Sequence, residues 1–426
     1  MTLVMVAVFA FLLAISYPVA HALVVGSTLG LLSGERIPIF AVIQQLMAPS
    51  QSFPLIAIPF FVMSGELMMT GKLGKHLIDF ATDLVGRFRG GHAQVSVLGS
   101  TLFGGVSGSA VADATALGAV LVPWQKKLGY PGAFCGATIA AASTIDILIP
   151  PSIPLILYSL VSNASIGGLF YAGIVPGLLL AVGFLVVCNI SASLRGFPYE
   201  KNPVHWGQMA RRGIYALPAL MLPVIVLVSL HFGVATPTEI STFAVVYSIV
   251  VSGAIYRDMT WERITKSLVF AGAATGVVLL LIMGSSCAGW IMTLEQIPEH
   301  FIAWAQGSFD SQFGVLALMN MLMLFAGMFI DLPAAMLLLG PLFVPLATAY
   351  HIDLIQLGVM MVVNLAIGLY SSPVGTTLFI GSMLAKASIG ETVKELLPFY
   401  AVGLVVLGLM TYVPALTLHI YSLVGK

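Results

Sequence analysis

No Asp, Glu, Lys or Arg occurs in residues 1–34, 147–194, 213–238, 267–294, 354–385 or 396–425. About 20 such apolar residues cross a bilayer as a helix, and backbone inside lipid must satisfy its own polar groups. These runs restrict the chain to an all-α polytopic membrane protein. Composition agrees: 8% of the 426 residues are charged, 59% are apolar and mean hydropathy is +1.04, where a soluble domain carries roughly 25% charge. An ordinary soluble enzyme and a disordered chain are excluded. So is a nucleic-acid binder, because net charge is zero and no basic patch is present. Cys135, Cys188 and Cys287 are odd in number and lack CxxC spacing, so neither a disulfide framework nor a zinc site is expected. Residues 1–34 lack a basic n-region and read as a retained span, not a cleaved signal peptide.

Charges and turn signals divide the apolar runs into full spans near 3–32, 53–70, 131–158, 168–194, 213–232, 238–256, 268–293, 354–383 and 396–423. Two further segments, 93–125 and 312–349, are broken midway by small, polar or Pro residues. The first breaks at Gly104-Gly105-Val106-Ser107-Gly108-Ser109 and the second at Gly327-Met328-Phe329-Ile330-Asp331-Leu332-Pro333. Each reads as two half-helices joined in the membrane, a re-entrant hairpin whose irregular tip is buried in protein or lines a wet cavity. If 72–92, 126–130, 195–212, 257–267 and 384–395 are cytoplasmic, they hold 15 of the 17 Lys and Arg, leaving Arg36 and Lys426 outside. The base-free loop 294–311 fits the external side.

The halves repeat at a fixed offset. Gly105, Pro123, Pro150 and Pro176 match Gly327, Pro345, Pro373 and Pro398 at differences of 222, 222, 223 and 222. Four spans and a hairpin in the first half would insert a second copy the same way round. The span 213–232 is then expected to be the connector that inverts it. Inverted repeats with interrupted helices at matching positions are the pattern of secondary transporters, with the site near the midplane.

Two broken helices follow the hairpins. Ser143-Thr144-Ile145-Asp146-Ile147-Leu148-Ile149-Pro150-Pro151-Ser152 holds two prolines, which free the carbonyls of Asp146 and Ile147. Gly368-Leu369-Tyr370-Ser371-Ser372-Pro373-Val374-Gly375-Thr376-Thr377 unwinds at 371–375. Unwound carbonyls and hydroxyls mid-membrane are neutral oxygen ligands suited to Na⁺. Ser107, Gly108 and Ser109 are expected to face the 144–151 break, and Gly327 the 368–377 break. Half-helix N-termini between the tips would favour an anion, so the substrate is expected to be a carboxylate. The plainer reading is that Gly, Ser and Pro here only permit close packing or kinks. Asp113, Asp146 and Asp331 lie beside the breaks and Glu66 late in a span. Such acids hold cations, relay protons, gate or cap half-helices, and capping competes with function most closely for Asp113 and Asp331. No Lys or Arg lies near the breaks, so first capture of an anion falls to a partner. Gly26, Gly30 and Gly34 form a small-residue ladder for helix packing or a subunit contact. Trp206–Arg212 reads as a cytoplasmic surface stretch, and no P-loop is present.

Ile58–Gly65 (IPFFVMSG), Gly104–Asp113 (GGVSGSAVAD), Ile147–Ser152 (ILIPPS), Gly233–Glu239 (GVATPTE) and Ser372–Gly375 (SPVG) carry a resemblance. In these stretches the chain resembles the large membrane subunit, DctM-type, of tripartite ATP-independent periplasmic (TRAP) transporters, in the form not fused to the small subunit. The resemblance implies an elevator-type fold. Residues 1–92 would be scaffold helices of the first repeat, and 93–158 the first hairpin and broken helix of a transport domain. Residues 159–311 would be scaffold and inverting connector, 312–383 the second hairpin and broken helix, and 384–426 a C-terminal scaffold helix. It implies Na⁺ coupling, with one site at Ser107, Ser109, Ile145, Leu148 and Pro151 and another at Gly327, Gly368, Ser371 and Val374. Gly105, Gly108, Asp113, Thr144, Asp146, Pro150, Asp331, Ser372, Pro373, Gly375, Thr376 and Thr377 then form the substrate and gate region. The implied partners are a small four-helix membrane subunit and a soluble periplasmic substrate-binding protein. The expected activity is Na⁺-driven import of a small organic acid across a bacterial inner membrane, with no enzymatic chemistry. The alternatives are a stand-alone carboxylate symporter driven by Na⁺ or H⁺, an intramembrane enzyme using Asp113 or Asp331, and a passive channel.

Overall fold

The computed structural model describes residues 1–34, 38–199 and 206–418, and within them the chain forms helices and no strands. Arg36 and Lys426 lie outside the described residues. The first half runs α1 (Thr2–Ala14), α2 (Val19–Leu32), α3 (Ile39–Met47), α4 (Ala57–Met69), α5 (Lys72–Val85), α6 (Gly91–Gly104), α7 (Ala110–Lys127), α8 (Gly132–Ala142), α9 (Ile153–Ser162) and α10 (Ile166–Arg195). The second runs α11 (Trp206–His231), α12 (Pro237–Val250), α13 (Trp261–Leu294), α14 (Ile297–Ser308), α15 (Gln312–Gly327), α16 (Leu332–Ala349), α17 (Leu354–Leu369), α18 (Thr376–Ala385) and α19 (Ile389–Tyr412).

Both expected hairpins form. α6 and α7 break at 105–109, α15 and α16 break at 328–331, and the arms of each pack on one another. Both expected broken helices form too, as α8–α9 and α17–α18. The repeat is visible in the element starts: 332 − 110 and 354 − 132 both equal 222 for α16 against α7 and α17 against α8. Pro123 and Pro345 lie inside α7 and α16, and Pro176 and Pro398 inside α10 and α19. Packing between the halves is crosswise. α2 lies on α13 as α12 lies on α4; α9 lies on α16 as α18 lies on α7; α10 lies on α17 as α19 lies on α8. Such exchange of equivalent partners is what a two-fold relation between repeats produces.

One expectation changes. Residues 3–32 are not one span. Ser16 turns at φ 61° and Pro18 caps a new helix, so α1 and α2 fold back on each other. The Gly26 and Gly30 ladder faces α1: a Cβ on Gly30 would stand 2.9 Å from the Met5 Cβ, and one on Gly26 3.1 Å from the Met5 carbonyl. The small residues thus serve packing within this chain. The helix α11 packs on α5, α12 and α10. Trp206–Arg212 forms the first two turns of α11 and is mostly exposed.

The five basic segments meet on one face. The Lys72 N–H donates to Asp258 Oδ2 at 2.6 Å, and Arg212 pairs with Asp83 at 2.6 Å. Arg195 pairs with Glu395 at 2.7 Å, and Lys126 Nζ donates to the Ala385 carbonyl at 2.5 Å. On the opposite face the Thr2 N–H donates to Glu295 at 3.0 Å, which places the start of α1 beside the base-free loop. Within that loop residues Ile297–Ser308 form the helix α14, which charge pattern alone does not mark.

The tightest crossing joins the two broken helices. A Cβ on Gly136 of α8 would lie 2.7 Å from the Gly381 carbonyl of α18, and a Cβ on Gly381 would collide with the Gly136 carbonyl. Neither contact can yield, because both partners are backbone. Gly381→Val is expected to destabilise the protein by about 1–3 kcal/mol or more, the range for overpacking. A melting curve in detergent should show the loss. Gly408→Ala on α19, where nothing lies within 4 Å, should melt like the parent. Equal melting of both variants would refute the close crossing.

Candidate functional site

Pro150 and Pro151 in the first break and Pro373 in the second remove donors and free carbonyls, and the structure shows where the freed groups go. The Ile147 carbonyl accepts from Ser152 Oγ at 2.5 Å, and the equivalent Leu369 carbonyl accepts from Thr377 Oγ1 at 3.0 Å. Each break therefore satisfies the same position with a downstream hydroxyl. The Pro150–Pro151 and Ser372–Pro373 bonds are cis. Ser143 and Thr144 donate back into α8, to the Ala140 and Ala141 carbonyls at 3.1 and 2.7 Å. Ser371 Oγ donates to the Ile367 carbonyl at 2.6 Å. Tyr400 of α19 donates to the Tyr370 carbonyl at 2.7 Å and fastens the second break to that helix.

The first hairpin tip is clamped by an acid. Asp146, fully buried, accepts from the Gly108 N–H at 3.2 Å and the Ser109 N–H at 2.6 Å. Charged acceptors on amides at a helix start are among the stronger protein hydrogen bonds. Gly108 sits at φ 64°, and a Cβ there would strike the Pro151 carbonyl, so the tip lies directly on the break. Ser109 caps α7 by accepting from the Ala112 N–H at 3.4 Å. Gly105 abuts Pro223 of α11, where a Cβ would stand 2.6 Å from Cγ. Gly65 of α4 abuts the same tip, with a would-be Cβ 2.8 Å from the Val106 carbonyl.

The second tip is held by neutral backbone. The Val374 N–H donates to the Met328 carbonyl at 3.2 Å, and a Cβ on Gly368 would strike the Gly327 carbonyl. Asp331 occupies the place equivalent to Ser109 (331 − 222 = 109), the N-cap of α16, while Gly368 stands where the first repeat has Asp146. Gly375 fits under the Ser371 and Leu369 carbonyls, 2.5 and 2.6 Å from a would-be Cβ.

Of the residues expected in the first cation set, Ser107, Ser109 and Pro151 come together at the tip. The Ile145 carbonyl accepts from the Leu148 N–H at 3.0 Å, and the Leu148 carbonyl lies against Gly173 of α10. In the second set Gly327 meets Gly368, and Ser371 and Val374 lie on the same break.

Both tips reach one cavity of about 160 Å³. Ser107–Ala112 line it from the first hairpin, Asp331–Pro333 from the second, and Ile153 and Pro154 from the start of α9. Three half-helix N-termini thus converge, and the described lining residues include no Lys or Arg. Asp146 accepts from amides at the start of α7, and Asp331 stands at the N-cap of α16 without a side-chain cap bond, so acids lie at two of the positive helix ends that face the cavity. The opposite wall comes from α4 (Ile58, Val62, Glu66, Met69) and α13 (Phe270, Ala274, Val278). Apart from Glu66, sequence reasoning missed this wall. Its apolar stripe at four-residue spacing on α13 carries no signal that separates cavity lining from packing. Asp113 does not line the cavity.

The model of the tripartite ATP-independent periplasmic transporter, DctM component, matches residues 6–416. The uncharacterized protein y4mL of Sinorhizobium fredii is 48% identical over 419 residues, 98% of this chain and 100% of that one. The C4-dicarboxylate TRAP transporter large permease protein DctM of Pseudomonas aeruginosa is 38% identical over 383 residues, 89% of each chain. Among solved structures, the YdaH transporter of Alcanivorax borkumensis superposes with a TM-score of 0.63 over 88% of each chain at 15% identity, which shows a shared fold. The chain belongs to the DctM family, the large membrane permease component of tripartite ATP-independent periplasmic transporters.

Proposed function

We propose that this permease, a multi-pass protein of the bacterial inner membrane, imports a small organic acid by coupling it to Na⁺. The observation that carries the reading is the meeting of two hairpin tips, each seated on a broken helix, at one cavity ringed by half-helix N-termini. Na⁺ at the Ser107–Pro151 and Gly327–Val374 junctions would add positive charge beside that cavity and order the tips. An anion would then bind better, and by linkage it would strengthen Na⁺ binding by the same factor. The relative named as a C4-dicarboxylate permease supports a carboxylate substrate.

The moving unit in this reading comprises both hairpins and both broken helices, sliding as an elevator against α1–α5 and α11–α14. We count α10 and α19 with the moving unit, because they pack on α6, α8 and α17; the sequence reading assigned them to the scaffold. A small membrane subunit and a periplasmic binding protein complete the machine, the latter supplying the first capture that a cavity without Lys or Arg lacks. The coupled permease is expected to accumulate a carboxylate in liposomes only with an inward Na⁺ gradient and the binding protein present. Accumulation without the binding protein would favour a stand-alone symporter, and equilibration without accumulation a channel.

Ser107→Ala and Ser371→Ala each remove a hydroxyl oxygen from one junction. Each should move the Na⁺ concentration for half-maximal uptake upward several-fold while protein yield holds; superimposable Na⁺ titrations would remove both as ligands. Asp146→Asn keeps the side chain's shape but loses the charge on two tip amides. With about 1.5–3 kcal/mol per hydrogen bond to a charged group, uptake is expected to fall about tenfold or more. Parental rates would show that the clamp does not govern transport.

A further inference from the structure

Behind the first tip, the hairpin encloses two polar side chains that the transport reading leaves unused. Asp113, in the first turn of α7, is fully buried, and neither of its carboxylate oxygens has a hydrogen-bond partner. Ser100 of α6 faces it, also fully buried and with its hydroxyl unpartnered. Asp146 lies against the same arm of the hairpin, its Cα 3.0 Å and its Oδ1 3.4 Å from where a Cβ on Gly104 would stand, and its oxygens are engaged by the tip amides. Among the described ion pairs, none reaches either acid.

Two carboxylates cannot remain ionised in a dry interior without a counter-charge, since an isolated buried charge costs far more than a folded protein can absorb. The N-terminus of α7 supplies about half a charge, and Asp146 already uses it. Burial also separates Asp113 from a capping residue, because its oxygens bond to no backbone N–H. The donors that remain are the two Asp113 oxygens, Ser100 Oγ and the outer lone pairs of Asp146. A divalent ion demands six or more oxygens or retained waters, which this closely packed space does not offer. A monovalent ion with looser demands fits.

We propose that Asp113, Ser100 and Asp146 hold a further Na⁺ inside the first hairpin, separate from the junctions at the two breaks. The site rests on the Na⁺-coupled reading and deepens it. Its ion neutralises Asp113 and leaves Asp146 free to keep its clamp on Gly108 and Ser109. Cation loss would therefore loosen the tip from behind, without any contact between this ion and the substrate.

The test counts bound ²²Na⁺ at saturation in the full-length protein in nanodiscs. Asp113→Asn is expected to bind one Na⁺ per chain fewer than the parent. Ser100→Ala is expected to keep the saturating count and to need several-fold more Na⁺ for half occupancy. An undiminished count in Asp113→Asn overturns the proposal; a pH titration in which that variant takes up one proton fewer would then identify a proton as the counter-charge. If Asp113→Asn does not fold, an unchanged half-saturation in Ser100→Ala overturns it instead. Parental protein that binds no Na⁺ at all would fell the Na⁺-coupled reading with it, whereas parental binding matched by both variants would remove this site alone.

Discussion

Every interruption of a helix inside a bilayer exposes backbone groups that lipid cannot satisfy, and the architecture of this permease follows from how those groups are met. The Ile147 and Leu369 carbonyls take hydroxyls from Ser152 and Thr377. The Gly108 and Ser109 amides take the Asp146 carboxylate, and the Met328 carbonyl takes the Val374 amide. Each of these bonds joins a hairpin to a broken helix or closes a break on itself. Satisfying the backbone and seating the hairpin tips on the broken helices are thus the same act.

The two repeats solve this problem with different chemistry. In the first, an acid on the broken helix grips the tip; in the second, the acid at position 331 is on the tip and its opposite number is Gly368. A carboxyl bonded to two amides gives the first junction two bonds where the second has a single bond between backbone groups. The symmetric frame therefore carries two junctions of unequal bonding, with Asp331 lining the shared cavity and Asp146 turned to the tip. Inequality of this kind lets one protein treat its two hairpins differently while folding them by the same rules.

Much of this was legible from residue order. Gly104–Ser109, Gly327–Pro333, Pro150–Pro151 and Ser372–Pro373 mark the interruptions because Gly, Ser and Pro act on the backbone wherever they stand. The basic loops marked one face. The reading failed where a short signal was outvoted by composition: Ser16-Tyr17-Pro18 divides an otherwise uniform apolar run, and weighing the run as a whole hid the α1–α2 turn. It also failed for α14, whose loop held a helix, and for the Ile147 carbonyl, freed by Pro151 but recovered by Ser152.

Sequence alone determined that the chain lives in a membrane, where its hairpins and broken helices are interrupted and that its halves repeat, because apolar length, proline and glycine act locally and leave a linear trace. Only the tertiary structure decided which partner each broken backbone group finds, that Asp113 is sealed behind the tip while Asp331 meets the cavity, and that α4 and α13 supply the facing wall. Those outcomes depend on which surfaces come within a few ångströms after helices cross. Residues far apart in the chain, such as Gly136 and Gly381, set those crossings together, and neither announces its partner.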